Sequence, residues 1–212
     1  MVKYQSYKKQ GFTLIEIIVA LAIFTVVAVV AIGALAKVIS ANKKAQSIQA
    51  AISNLSYAIE SMSRELRLGR NYLCVSNFST IPASQNTLTP NACDATNNGN
   101  YYLAFESSRT YTDVSGNFLC NAIIVYRFTD LGSGKYSLDR GMKKDCSTAM
   151  NENTDLVPVI SSNVTLTGYS VRVVSDGTHP YPFATFRLSG YSGTRDKDKT
   201  YFDIQTTASQ NI

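Results

Sequence analysis

The hydrophobic pattern begins with one long apolar segment close to the amino terminus. Residues 17–36 contain no charged side chain, and a helix of these twenty residues spans a hydrocarbon layer of about 30 Å. The pattern permits a signal anchor, a secretory signal peptide cut after Ala34-Leu35-Ala36, or a segment cut before its apolar part, which is then retained. Its length and the carboxylate of Glu16 at its start argue against the signal peptide.

A narrower apolar stripe continues beyond this segment. Apolar residues recur in steps of four and three at Ala41, Ala45, Ile48, Ile52, Leu55, Ile59, Met62 and Leu66. This heptad spacing predicts a helix with one apolar face that ends near Leu68. Either a coiled-coil partner or a sheet of the same chain would cover the stripe, and the strand-rich remainder of the chain favours the sheet.

The rest of the chain has the period-two pattern of strands. A loop rich in Ser, Asn and Thr is predicted at residues 76–100, and turn signals then separate six candidate strands, at residues 101–106, 118–128, 135–140, 164–175, 183–188 and 200–206. Gly132-Ser133-Gly134 predicts a hairpin between the second and third of them. We therefore predict an α+β fold in which a long amino-terminal helix packs on an antiparallel sheet.

The four cysteines all follow the apolar segment. No CxxC pair is present and His179 is the single histidine, so disulfides are favoured over zinc, and disulfides indicate an oxidising compartment. If the hairpin centres on Ser133, Cys120 and Cys146 lie thirteen residues to either side. We predict a Cys120–Cys146 bond, which leaves Cys74–Cys93 to clamp the long loop, although the sequence alone also permits the other pairings.

The net charge of +5 at 212 residues does not indicate nucleic-acid binding. Lys3, Lys8 and Lys9 precede the apolar segment, and without residues 1–11 the Lys and Arg count falls from 20 to 17 against 15 acidic residues. Much of the basicity is therefore a membrane-topology signal. Lys143 and Lys144 are too few to form a nucleic-acid groove.

One short motif carries most of the functional information. Lys8-Lys9-Gln10-Gly11-Phe12-Thr13-Leu14-Ile15-Glu16, followed by the apolar run, resembles the class III signal of type IV pilins and type II secretion pseudopilins. The resemblance implies that prepilin peptidase cuts between Gly11 and Phe12 and N-methylates Phe12. It also implies that Glu16 is the assembly carboxylate, which neutralises the amine of a neighbouring subunit. Gly33 stands where many major pilins carry a proline.

The position of the Glu16 charge agrees with this cleavage site. A charged group inside a membrane helix costs about 2.5–3.5 kcal/mol on insertion scales, so it normally has a partner. Cleavage after Gly11 would expose an α-amine on Phe12, one helical turn before Glu16.

The resemblance also implies an organisation and a location. It predicts a pilin-like fold with a cleaved leader at residues 1–11, a membrane-spanning and filament-core half at 12–36, an amphipathic half at 37–70 and a β-rich head at 71–212. The expected partners are prepilin peptidase, other pilin or pseudopilin subunits and an inner-membrane assembly platform. The chain is expected in the bacterial inner membrane with its head outside the cytoplasm, and then in a periplasmic or cell-surface filament.

The predicted function is that of a structural filament subunit that is not an enzyme. The ending at residues 201–207 and Ser63-Arg64-Glu65-Leu66-Arg67 resemble J-type minor pseudopilins and related minor prepilins. The alternative is a membrane-tethered module that recognises DNA, a glycan or a secreted substrate. No catalytic motif, cofactor site or metal site is predicted: His179 lies in a proline-flanked loop, and Lys197 between Asp196 and Asp198 argues against calcium.

Overall fold

The computed structural model describes residues 11–82, 88, 91–96, 99–112, 114–143, 150–174, 183–193 and 199–209. The chain forms two compact units, Met1–Gln46 and Ser47–Ile212. Its elements are the helix α1 (Leu14–Arg67), the strands β1 (Arg70–Val75), β2 (Cys93–Thr96), β3 (Tyr101–Thr112), β4 (Phe118–Gly132), β5 (Lys135–Met142), β6 (Leu156–Pro158), β7 (Val164–Val174), β8 (Phe183–Ser192) and β9 (Thr200–Ser209), and a 3-10 turn at Phe78–Thr80.

The second unit is built on one antiparallel sheet. Within the described residues its nine strands follow the order β1-β3-β4-β5-β7-β8-β9, with β2 paired to β7 and β6 paired to β5. The part of α1 in this unit buries one face on the sheet. The predicted α+β, pilin-like fold is therefore confirmed.

The face of α1 that meets the sheet differs in detail from the predicted stripe. Its buried residues are Ala51, Leu55, Ala58, Met62 and Leu66, whereas the predicted Ile52 is 59% exposed. A straight helix on a sheet repeats every 3.6 residues and not every 3.5. The contact line therefore runs through Ala51 and Ala58.

Helix α1 ends close to the predicted position, and glycine is required just beyond its last residue. A Cβ atom on Gly69 would lie 2.5 Å from the Phe105 ring, so any larger residue would clash there. The buried hydroxyl of Tyr72 donates to the carbonyl of Leu66 in the last helical turn. Burial raises the pKa of Tyr72 to about 12, so the hydroxyl stays a donor well into the alkaline range.

A charged cluster fixes α1 to the sheet. Nε of Arg140 on β5 donates to both carboxylate oxygens of Glu65, at 3.1 and 3.0 Å. The hydroxyl of Tyr126 on β4 donates to the same carboxylate at 2.6 Å. Hydrogen bonding to Glu65 raises the pKa of Arg140, and burial raises that of Tyr126. Because all three groups are directional, the cluster sets the position of the helix along the sheet.

The other face of the sheet carries a second apolar core. It contains Leu73, Leu88, Tyr102, Ala104, Ile123, Val125 and Leu156. A disulfide joins Cys74 at the end of β1 to Cys93 at the start of β2 across a Cα–Cα distance of 6.0 Å. The predicted Cys74–Cys93 bond is therefore confirmed.

The six predicted strands are all present, and most are longer than predicted. Three further strands, β1, β2 and β6, were not predicted, and the prediction of an unbroken loop over residues 76–100 is wrong at Cys93–Thr96. This four-residue segment has no strand pattern of its own. It becomes a strand because it pairs with β7, in the register Cys93↔Val173.

The hairpin between β4 and β5 has the predicted register. Its pairs Asp130↔Tyr136 and Ile124↔Met142 both centre on Ser133, which has a positive φ of 55°. Cys120 is buried on β4, and Cys146 lies outside the described residues. The Cys120–Cys146 bond therefore stays a prediction.

The charged cluster predicts a stability difference between two acids on the same helix. Replacing Glu65 with Gln (E65Q) leaves the Arg140 guanidinium partly buried without its counter-charge, so we expect a loss on the order of 2 kcal/mol. E60Q removes an exposed pair with Arg64 and should cost no more than about 0.5 kcal/mol. Urea unfolding of the full chain in detergent micelles, monitored by the near-ultraviolet circular dichroism of tyrosine, measures the free energy of unfolding of both variants. Equal losses in E65Q and E60Q would contradict the role of Glu65.

Candidate functional site

The start of α1 is held by a reciprocal pair of hydrogen bonds. The backbone N–H of Glu16 donates to Oγ1 of Thr13 at 3.4 Å, and the backbone N–H of Thr13 donates to Oε2 of Glu16 at 3.3 Å. The Thr13 hydroxyl also donates to Oε2 at 3.3 Å. This arrangement is a capping box, in which two otherwise unpaired amide groups of the first turn are satisfied.

Glu16 therefore has a function within its own chain. Its carboxylate closes the capping box, and its negative charge lies in the first turn, where the helix dipole favours an anion. From the sequence, Glu16 was expected to pair with a Phe12 amine that exists only after cleavage, in its own chain or in a neighbouring subunit, and Thr13 was not included. The signal was present, because Thr13-Leu14-Ile15-Glu16 has the T-x-x-E spacing of a capping box.

Gly11 and Phe12 precede the capped helix and have no packing role within the described structure. Phe12 is 81% exposed, and a Cβ atom on Gly11 would find no atom within 4 Å. Neither identity is required by the contacts of the described chain. A requirement for glycine at this position would have to come from a molecule that binds the segment.

The apolar part of α1 is exposed on every side. The large side chains that are at least half exposed here include Ile17, Leu21, Phe24, Val29, Ile32 and Leu35. The helix is long and apolar enough to cross a membrane, by length and composition. It continues through Gly33, where a Cβ atom would also meet nothing within 4 Å.

The structure describes only one of the residues that the sequence analysis weighed and rejected for catalysis, calcium or nucleic acid. His179, Asp196, Asp198 and Lys144 lie outside the described residues, and Lys143 is buried in the second unit. Among the residues that the structure describes, no group of three or more His, Cys, Asp and Glu side chains is placed to hold a metal ion.

A comparison with family models identifies the motif. Residues 6–32 match the model described as the prokaryotic N-terminal methylation motif. No curated protein and no solved structure matches the chain. The match spans the Gly11–Phe12 bond, the capping box and most of the apolar segment. The chain therefore combines a prepilin-type N-terminal methylation motif, as found in type IV pilins and type II secretion pseudopilins, with a pilin-like α+β fold.

The capping box predicts the exchange behaviour of the first helical turn. T13A removes the acceptor for the Glu16 amide, and loss of a cap costs about 1 kcal/mol, so exchange of that amide should accelerate about fivefold. T25A is the matched control, because the Thr25 hydroxyl donates to the carbonyl of Ala22 inside the helix and takes no part in the cap. Hydrogen exchange of the full chain in micelles measures both, and unchanged protection at Glu16 in T13A would exclude the capping role.

Proposed function

We propose that this protein is a structural subunit of a type IV pilus or a type II secretion-like filament. Prepilin peptidase cuts it between Gly11 and Phe12 and methylates Phe12, and the mature chain joins other pilin or pseudopilin subunits on an inner-membrane platform. The observation that carries the proposal is the match of residues 6–32 to the methylation motif. The exposed apolar helix that contains this motif supports it.

The local geometry supports cleavage at this bond. Gly11–Thr13 lies outside the helix and is exposed, so a peptidase can bind it in an extended form. Scission after Gly11 removes the leader but leaves Thr13 and Glu16, and with them the capping box. The mature chain would therefore begin one residue before an intact helix cap.

The charge of Glu16 supports assembly through the helix. In water the charged carboxylate is solvated and has little free-energy cost. Among packed apolar helices it would lose this solvation and would need a cation. The amine created on Phe12 of a neighbouring subunit supplies that cation. Glu16 then has two functions, as a cap within its own chain and as a counter-charge between chains.

The head supports a position outside the cytoplasm. The Cys74–Cys93 disulfide is typical of proteins that fold in an oxidising compartment. We place the protein among the minor, J-type subunits because of the sequences at the end of α1 and in β9. In this proposal the chain is first an inner-membrane protein and then part of a periplasmic or surface filament.

The two functions of Glu16 are separable by substitution. E16Q keeps a side chain that can close the capping box but removes the charge, whereas T13A weakens the cap and keeps the charge. We expect E16Q to be processed but retained in the membrane, with at least about a tenfold loss from the sheared filament fraction, the equivalent of 1.4 kcal/mol. T13A should keep most of its incorporation.

The control for this experiment is E60Q, which removes an exposed acid on the same helix and should enter filaments normally. Immunoblots of filament and membrane fractions from the native host give the readout. Incorporation of E16Q at the wild-type level would contradict the proposal and favour the membrane-tethered binding module.

A further inference from the structure

Three lysines follow the apolar segment on α1 and are named here the basic collar: Lys37, Lys43 and Lys44. All three are exposed, and Lys37 comes directly after the uncharged residues 17–36. Seven positions separate Lys37 from Lys44, so helix geometry places them on the same side, about 10 Å apart along the axis. The basic collar is therefore a short patch of positive charge at the end of the apolar segment.

The helix around the basic collar carries no counter-charge. Residues 17–59 contain no Asp or Glu, and the next acids on the helix are bonded elsewhere, Glu60 to Arg64 and Glu65 to Arg140. Across the described ranges, no carboxylate forms a salt bridge with a collar lysine. An anion that neutralises the patch has to come from outside this part of the chain.

The depth of the basic collar indicates which anion that is. A bilayer of about 40–45 Å has a hydrocarbon core of about 30 Å, which leaves a headgroup layer of about 5–8 Å on each side. With residues 17–36 in the hydrocarbon, Lys37 enters this layer. The long side chains of Lys43 and Lys44 reach back toward it.

We propose that the basic collar binds the phosphates of anionic phospholipid headgroups in the leaflet where α1 leaves the membrane. This inference rests on the membrane insertion that the proposed function requires. The exposed Val38 and Ile39 support it, because they keep the segment next to Lys37 apolar enough to stay at the interface. An acidic helix of another subunit would not need the lysines to begin where the apolar segment ends.

The basic collar also gives leader removal an electrostatic consequence. The leader carries three lysines, Lys3, Lys8 and Lys9, on the other side of the apolar segment. Cleavage after Gly11 removes all of them and leaves the basic collar. The mature chain then keeps its lysine contacts with anionic lipid only in the leaflet where the helix emerges.

Lipid binding by the full-length, uncleaved chain tests the proposal. The purified protein in detergent micelles is titrated with phosphatidylglycerol or phosphatidylcholine of the same acyl chains, and bound lipids are counted by native mass spectrometry. The starting variant is K3Q/K8Q/K9Q, which removes the leader lysines as a source of binding. We expect it to prefer phosphatidylglycerol and to lose this preference as salt is raised.

Adding K37Q, K43Q and K44Q to that variant should lower the preference about fivefold for each lysine that contacts a headgroup. Equal binding of the two lipids by the leader variant, or an unchanged preference after the collar substitutions, would overturn the proposal. The proposal would also be overturned if the collar substitutions changed the self-association of the protein but not its lipid preference, because the lysines would then contact another subunit. The titration uses uncleaved protein, so a failure of leader processing or filament entry leaves its result unaffected.

Discussion

The head of this protein depends on the apolar contact between the second part of α1 and the sheet. Leu55, Met62 and Leu66 are almost completely buried there, and burial of each such side chain stabilises the fold by about 1.5–3 kcal/mol. This apolar contact is not directional, so by itself it would allow the helix to slide along the sheet. The bonds from Arg140 and Tyr126 to Glu65 remove this freedom, because they require one position of the helix on the strands.

The first part of the same helix obeys a different constraint. Its apolar side chains are exposed on every side, so they require a bilayer or other helices as their surroundings. In such surroundings each polar group at the start of the helix must be satisfied. Thr13 and Glu16 satisfy two amide groups of the first turn within one chain, and in the proposed processing the scission between Gly11 and Phe12 would add a cation for the charge that remains. A single carboxylate therefore connects the folding of the subunit to its proposed assembly.

The sequence predicted those elements whose own residues have a clear helical or strand period. The long helix, six strands and the register around Ser133 follow from periodicity and from one glycine-rich turn. The strands β2 and β6 could not be predicted, because they have only four and three residues and form by pairing with β7 and β5. The six-residue β1 was missed because it buries three consecutive residues, Tyr72, Leu73 and Cys74, and so lacks the alternation of a strand. The burial of Ala51 in place of Ile52 depends on the surface that the helix meets. The capping box, in contrast, was readable from Thr13 and Glu16, since both residues lie within one turn.

The central proposal is that the chain is cut between Gly11 and Phe12, one helical turn before Glu16, and keeps its apolar helix. Terminal mass analysis of the protein extracted from membranes of its native host tests it most directly. We expect a chain that begins at N-methylated Phe12 and retains the apolar segment and the head. A chain that still carries Met1, or one that begins at Lys37 after loss of the apolar segment, would contradict it.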